Sequence, residues 1–144
     1  MISKTVESLY AAFAAADAPA LLATLHPELV LDVSRGMPLG VGGRHRGTHD
    51  ALRDCWAVIF GAYQTAPFPT EYLWAAPDRC VVLGHYRGTA RATGRAFEAA
   101  FAHDLTLRDG LIANFTQITD TTRWADALTP LNGLPPRSPT PPQP

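Results

Sequence analysis

Lysine is almost missing from this sequence. Lys4 is the sole lysine among 144 residues, charged side chains make up 17 %, and the net charge is −1. A chain this near neutrality carries no electrostatic footprint for nucleic acid or an anionic membrane. The eleven arginines that accompany Lys4 go with abundant alanine and proline and read as compositional bias, not as phosphate forks. Cysteine is scarce too. Cys55 and Cys80 lie in apolar surroundings without CxxC spacing, which suits small buried hydrophobes in a reducing compartment, although sequence alone leaves a disulfide open. No apolar run reaches the ~18 residues of a membrane helix, and the first seven residues lack the apolar centre of a signal peptide. The expected location is therefore the cytoplasm.

What is present is a core. Hydrophobic residues make up 47 % of the chain, and a domain of this length buries roughly 70 % of the surface that its unfolded chain exposes. Val6, Leu9, Tyr10 and Phe13 recur at helical spacing and predict a first helix over 3–16. Asp17 followed by Pro19 marks the N-terminus of a short second helix that carries Leu21, Leu22 and Leu25 and ends before Pro27. Leu29 to Val33 reads as a strand, and the glycines of 34–47 as a loop. Thr48 then caps a long helix bearing Leu52, Cys55, Trp56, Ile59, Phe60 and Tyr63, with Pro67 and Pro69 closing it.

Strands are predicted at about 70–76, 79–91, 95–108 and 111–119. Asp109-Gly110, between two alternating segments, is a hairpin signal because both residues tolerate positive φ. A last short helix is expected near 121–128, with Asp120 as its N-cap. The result is an α+β domain over 1–129, in which a long twisted antiparallel sheet curls around the long helix and leaves a concavity. From Pro130 onward, seven of the thirteen prolines fall in fifteen residues. That composition predicts a disordered or polyproline tail over 130–144, a frayed end in preference to a PxxP ligand.

Period two places Phe97, Ala99, Phe101, His103, Leu105 and Leu107 on one face of the 95–108 strand. In the next strand the inward set is Ala113, Phe115, Gln117 and Thr119. His103 amid these rings is either a core residue satisfied by hydrogen bonding or an acid/base group that titrates near neutrality. Asp32, on a mostly apolar strand, either faces inward as a base or outward to cap the glycine-rich loop. Tyr10 and Trp56 lie on inward helical stripes, core by default, each with a polar hydrogen for a ligand oxygen. His45 and His49 have HxxxH spacing, but glycines surround them and no third ligand is evident, so no metal site is expected.

Leu9-Tyr10-Ala11-Ala12-Phe13 with Asp17, Phe101-Ala102-His103, Leu107-Arg108-Asp109-Gly110-Leu111-Ile112 and Thr119-Asp120-Thr121 resemble the SnoaL-like and ketosteroid-isomerase-related proteins of the NTF2-like superfamily. The resemblance spans about residues 3–128. It implies the cone-shaped, cystatin-like fold: two N-terminal helices and a curved antiparallel sheet wrapped around a long helix. The superfamily holds isomerases, polyketide cyclases, epoxide hydrolases, dehydratases and non-catalytic binders, so the fold alone does not name a reaction.

Residue by residue, the resemblance makes His103 the pocket histidine of the polyketide cyclases and sets Tyr10 near their helix-one tyrosine. Gln117 stands where those enzymes and the limonene-epoxide-hydrolase-like enzymes carry an aspartate. Against the steroid isomerases, Leu9 replaces the oxyanion tyrosine, Val33 the base aspartate and His103 the protonated aspartate. No catalytic set is complete.

These readings lead to an acid/base enzyme, free of metal and organic cofactor, acting on a small apolar carbonyl or polyketide-like substrate. His103 and Asp32 would be catalytic; Tyr10, Trp56, Phe101, Phe115, Gln117 and Thr119 would bind substrate. The alternative is a non-catalytic binding module. Small residues on the outward sheet face (Ala100, Ala102, Thr106, Thr116, Ile118) suit packing against a second copy, so a homodimer is expected.

Overall fold

The computed structural model describes residues 3–131. The 130–144 tail expected from the prolines lies, beyond residue 131, outside the described residues. Helix α1 (Lys4–Ala15) is capped by Ser3, whose side chain accepts from the Val6 amide, and buries the stripe Val6, Leu9, Tyr10, Phe13. Asp17 caps α2 (Ala18–Leu22) through the Ala20 amide, with proline in the first turn. The next helix is continuous over three segments: α3 (Thr48–Ala51), a π segment (Leu52–Trp56) and α4 (Ala57–Ala62).

Six strands form one curved sheet: β1 (Leu25–Val33), β2 (Gly43–Arg46), β3 (Tyr63–Ala76), β4 (Arg79–Ala90), β5 (Ala96–Arg108) and β6 (Leu111–Thr119), in the order β2-β1-β6-β5-β4-β3. All neighbours are antiparallel except β1 and β6, which run parallel. Helix α5 (Thr121–Leu128) folds back onto the sheet, where the Tyr63 hydroxyl donates to the Trp124 carbonyl at 2.7 Å. Asp109 and Gly110 both take positive φ, 56° and 74°, in the β5–β6 turn, as a tight hairpin requires. The α+β class and the sheet curled over a helix agree with the sequence reading.

Four local expectations are corrected. β1 begins at Leu25 and carries Pro27 within it, so the second helix ends earlier than its leucines suggest. Residues 43–46 are strand β2, which pairs Val30 to Val33 with Arg46 to Gly43; a four-residue strand rich in glycine and arginine has no apolar alternation to betray it. The long helix ends at Ala62, and Tyr63, Pro67 and Pro69 belong to β3, an edge strand, where proline is tolerated because no outer neighbour needs its N–H. Asp120 makes no side-chain cap bond; its carboxylate lies 3.6 Å from Arg123 Nε.

Candidate functional site

The concave face of the sheet and the helices enclose a narrow cavity. Its walls are Leu31 and Val33 from β1, Phe115 from β6, Phe13 from α1, Cys55 and Trp56 from the π segment, and Ile59 and Phe60 from α4. Trp124, Met37 and the β3 residues Ala66 and Pro67 complete the apolar lining, with Thr65, whose hydroxyl donates to the Arg87 carbonyl; Tyr86 and Gln117 supply its polar end. The space open to the centre of a water molecule is about 30 Å³, room for about two waters. With the side chains as they stand, nothing the size of a ring fits. Phe13, Phe60, Thr65 and Ala66 also line an outer groove with Phe68, Arg87 and Arg91.

Behind the polar end stands His103, fully buried. Its Nδ1 is 2.7 Å from the Tyr10 hydroxyl and its Nε2 is 2.7 Å from the Tyr86 hydroxyl. Gln117 Nε2 donates to the Tyr86 oxygen at 3.2 Å. Gln117 Oε1, also buried, has no partner among the described residues. The Phe101 ring stacks on the imidazole with centroids 4.0 Å apart, and Phe115 tilts against it at 4.8 Å.

Burial pushes His103 down to about 3, so the ring is neutral at physiological pH. Burial raises the Tyr10 and Tyr86 phenols well above the ordinary tyrosine range, and both keep their protons. Burial likewise pushes the Cys55 thiol up to about 12, which leaves it no nucleophile at neutral pH.

Of the residues expected at the site, Trp56, Phe115 and Gln117 line the cavity. Tyr10, Phe101 and His103 form the layer behind it. Thr119 is elsewhere: its hydroxyl donates to the Ala100 carbonyl at 2.8 Å and accepts from Trp124 Nε1 at 3.1 Å, so it sets the tryptophan's orientation. Asp32 is corrected outright as a partner of His103. It shares the outer face of the sheet with Arg44, which grips its carboxylate in a fork of 2.8 and 3.1 Å. Leu31 and Val33, its neighbours on either side, are the residues that point inward.

Tyr86 is a site residue that the sequence reading misses, though its signal is present: Cys80, Val82 and Tyr86 fall on one parity of β4, and all three are buried. His45 Nε2 lies 2.7 Å from the Val41 carbonyl. Among the described residues, no three His, Cys, Asp or Glu side chains gather into a metal-binding group, and both cysteines are free and buried.

Residues 6–115 match the SnoaL-like domain. The chain belongs to the SnoaL-like family. No curated protein matches it, but solved structures resemble this SnoaL-like chain over most of its length. An NTF2-like protein from Burkholderia thailandensis E264 is 28 % identical, with a TM-score of 0.80 over 90 % of this chain and all of that one. An NTF2-like protein from Burkholderia pseudomallei K96243 is 29 % identical, with a TM-score of 0.80 over 88 % of this chain and 95 % of that one. TerC, co-crystallised with polyporic acid, is 25 % identical, with a TM-score of 0.78 over 87 % of this chain and 95 % of that one. The NTF2-like architecture is thus the fold of this protein. Among the described residues no helix is long and apolar enough to cross a membrane.

Proposed function

We propose that the protein is a SnoaL-like enzyme that takes a small apolar molecule into this cavity and polarises its carbonyl oxygen at the Tyr86–Gln117 end, promoting cyclisation or isomerisation. One observation carries this reading: in a cavity walled mostly by apolar side chains, the amide of Gln117 has a buried end with no protein partner. Buried polar atoms are seldom left so; a ligand N–H or O–H would satisfy the oxygen, and with the amide turned end for end a ligand carbonyl oxygen would satisfy its N–H groups. A TerC crystal grown with polyporic acid supports a small organic ligand for this fold. We place the protein in the cytoplasm, where its two free thiols would stay reduced.

In this reading Gln117 touches the ligand and is the candidate catalytic residue, whereas Tyr86, His103 and Tyr10 are positioning residues. His103 cannot reach a substrate without displacing Tyr86. A fixed donor at a developing oxyanion is worth about 10²–10³ in turnover, which suits a substrate that already reacts slowly alone. The absence of any carboxylate among the lining residues favours a second reading, a module that binds the same class of ligand without converting it.

The test is a panel of small aromatic and polycyclic ketones and epoxides. Binding is followed by native mass spectrometry and conversion by chromatography, for wild type and Gln117→Leu. Conversion by wild type with a loss of about 10²–10³ in the variant supports the enzyme. Binding by both proteins with no conversion supports the module. A panel in which nothing binds sinks both readings.

We also propose that a second copy packs on the outer sheet face. There Leu83, Ala102 and Ile118 stand in one cross-strand row, and Ile118 is 61 % exposed.

A further inference from the structure

Tyr10, His103, Tyr86 and Gln117 form a chain of three hydrogen bonds, of 2.7, 2.7 and 3.2 Å, and each junction holds one hydrogen. A neutral imidazole has one N–H and one bare nitrogen. If one tyrosine donates to His103, then His103 donates to the other, so the whole chain points one way or the opposite way. Burial keeps the ring neutral, and no doubly protonated form relaxes this rule.

Run from Gln117 toward Tyr10, the amide N–H donates to the Tyr86 oxygen, the Tyr86 O–H to Nε2, and Nδ1–H to the Tyr10 oxygen. The Tyr10 hydrogen is then stranded. His103 is the sole hydrogen-bond partner of that hydroxyl among the described residues, and Tyr10 is only 5 % exposed. Run from Tyr10 toward Gln117, the Tyr10 O–H donates to Nδ1, Nε2–H to the Tyr86 oxygen, and the Tyr86 O–H to the amide oxygen. This needs only a half-turn of the Gln117 amide, which exchanges two nearly isosteric ends. Every hydroxyl and ring hydrogen in the chain now has an acceptor, and the amide N–H groups are left over, beside the cavity that Gln117 lines. The first direction strands the Tyr10 hydrogen away from the cavity lining, whereas the amide N–H groups left over in the second adjoin the cavity, where a water or a ligand can accept from them. A donor that nothing can reach costs more than a net hydrogen bond gains, so the second direction prevails.

We propose that the relay runs from Tyr10 to Gln117, so that the cavity presents amide N–H groups and selects ligands by a hydrogen-bond acceptor, a carbonyl or enolate oxygen. Tyr86 spends its own hydrogen inside the relay, and Gln117 alone donates to the ligand. The selectivity deepens the ligand-site reading above and rests on it; the direction of the relay does not.

The experiment is long-range proton–nitrogen NMR of the full chain labelled with [15N]histidine, at neutral pH. His103 is identified by its loss in His103→Gln or, should that variant not fold, by single substitution of His26, His45, His49 and His85. The Nε2–H tautomer of His103 is expected, and the Nδ1–H tautomer overturns the proposal. A second arm compares acetophenone, which offers only an acceptor, with indole, which offers only an N–H donor on a body of similar size. Acetophenone should bind about tenfold tighter, a preference lost in Gln117→Leu; tighter binding of indole overturns the acceptor selectivity. If neither compound binds, the ligand-site reading loses its support, while the tautomer still decides the direction of the relay.

Discussion

The Tyr86 hydroxyl stands 2.7 Å from His103 Nε2 and on the opposite side meets the amide of Gln117 at 3.2 Å. One phenol thus separates a fully buried imidazole from the cavity. The polar end of the cavity is formed by this phenol and the amide, and the histidine stands behind them.

Loss of either tyrosine hydroxyl tests that arrangement. Tyr10→Phe unpairs one ring nitrogen of His103, whereas Tyr86→Phe unpairs the other nitrogen and the Gln117 amide as well. With about 1–3 kcal/mol for each orphaned buried polar group, Tyr86→Phe should cost about twice what Tyr10→Phe costs. Urea unfolding of both variants measures this, and equal costs would contradict the relay.

Acid should destabilise the protein through His103. Its folded value is about 3 against an ordinary 6.5, so between these pH values the unfolded chain binds a proton that the folded chain does not. Stability contributed by the neutral ring is complete above 6.5 and falls as pH drops toward 3, by about 1 kcal/mol per pH unit. His103→Gln should be less stable at neutral pH and show a flatter decline in acid. Unfolding midpoints at neutral and mildly acidic pH give the comparison; identical slopes would mean that the ring titrates normally.

Asp32 faces away from the cavity, in an ion pair with Arg44 whose side chains are 35 % and 52 % exposed. Such pairs contribute about 0–1 kcal/mol. Asp32→Asn should therefore leave ligand binding and any conversion unchanged and shift stability by less than about 1 kcal/mol. A loss of activity at unchanged stability would return Asp32 to the site.

For the outer face, Ile118→Glu puts a charge at the exposed end of the row formed with Ala102 and Leu83. Sedimentation at micromolar concentration should show a wild-type dimer and a monomeric variant. A wild-type monomer ends the proposal.

The alternation of β5 and β6 makes much of the concave face legible in the residue pattern alone: Phe101, His103, Leu105 and Phe115 are buried as period two requires. What the pattern does not show is that hydroxyls 93 residues and 17 residues away converge on the two nitrogens of one ring. That depends on the β4–β5 register and on how α1 crosses the sheet, and neither leaves a local pattern. Asp32 is ambiguous in sequence for a similar reason. Its partner belongs to β2, a strand that exists only through its pairing with β1. The straight helical stripe through Leu52 and Tyr63 likewise gives no hint that Leu52–Trp56 winds as a π segment, an irregularity that recurs at functional sites and here places Cys55 and Trp56 in the cavity wall.

Pro67 and Pro69, placed in the outermost strand of the sheet, have a consequence for life at high concentration. A strand margin is a template for the next chain, and two residues with no N–H to offer interrupt it. The opposite margin is four residues long and bears Arg44 and Arg46, which repel a like neighbour. Copies of this protein are thereby steered away from fibril-like stacking edge to edge, and the pairing proposed above would use a broad face, where a two-fold contact closes on itself and stops.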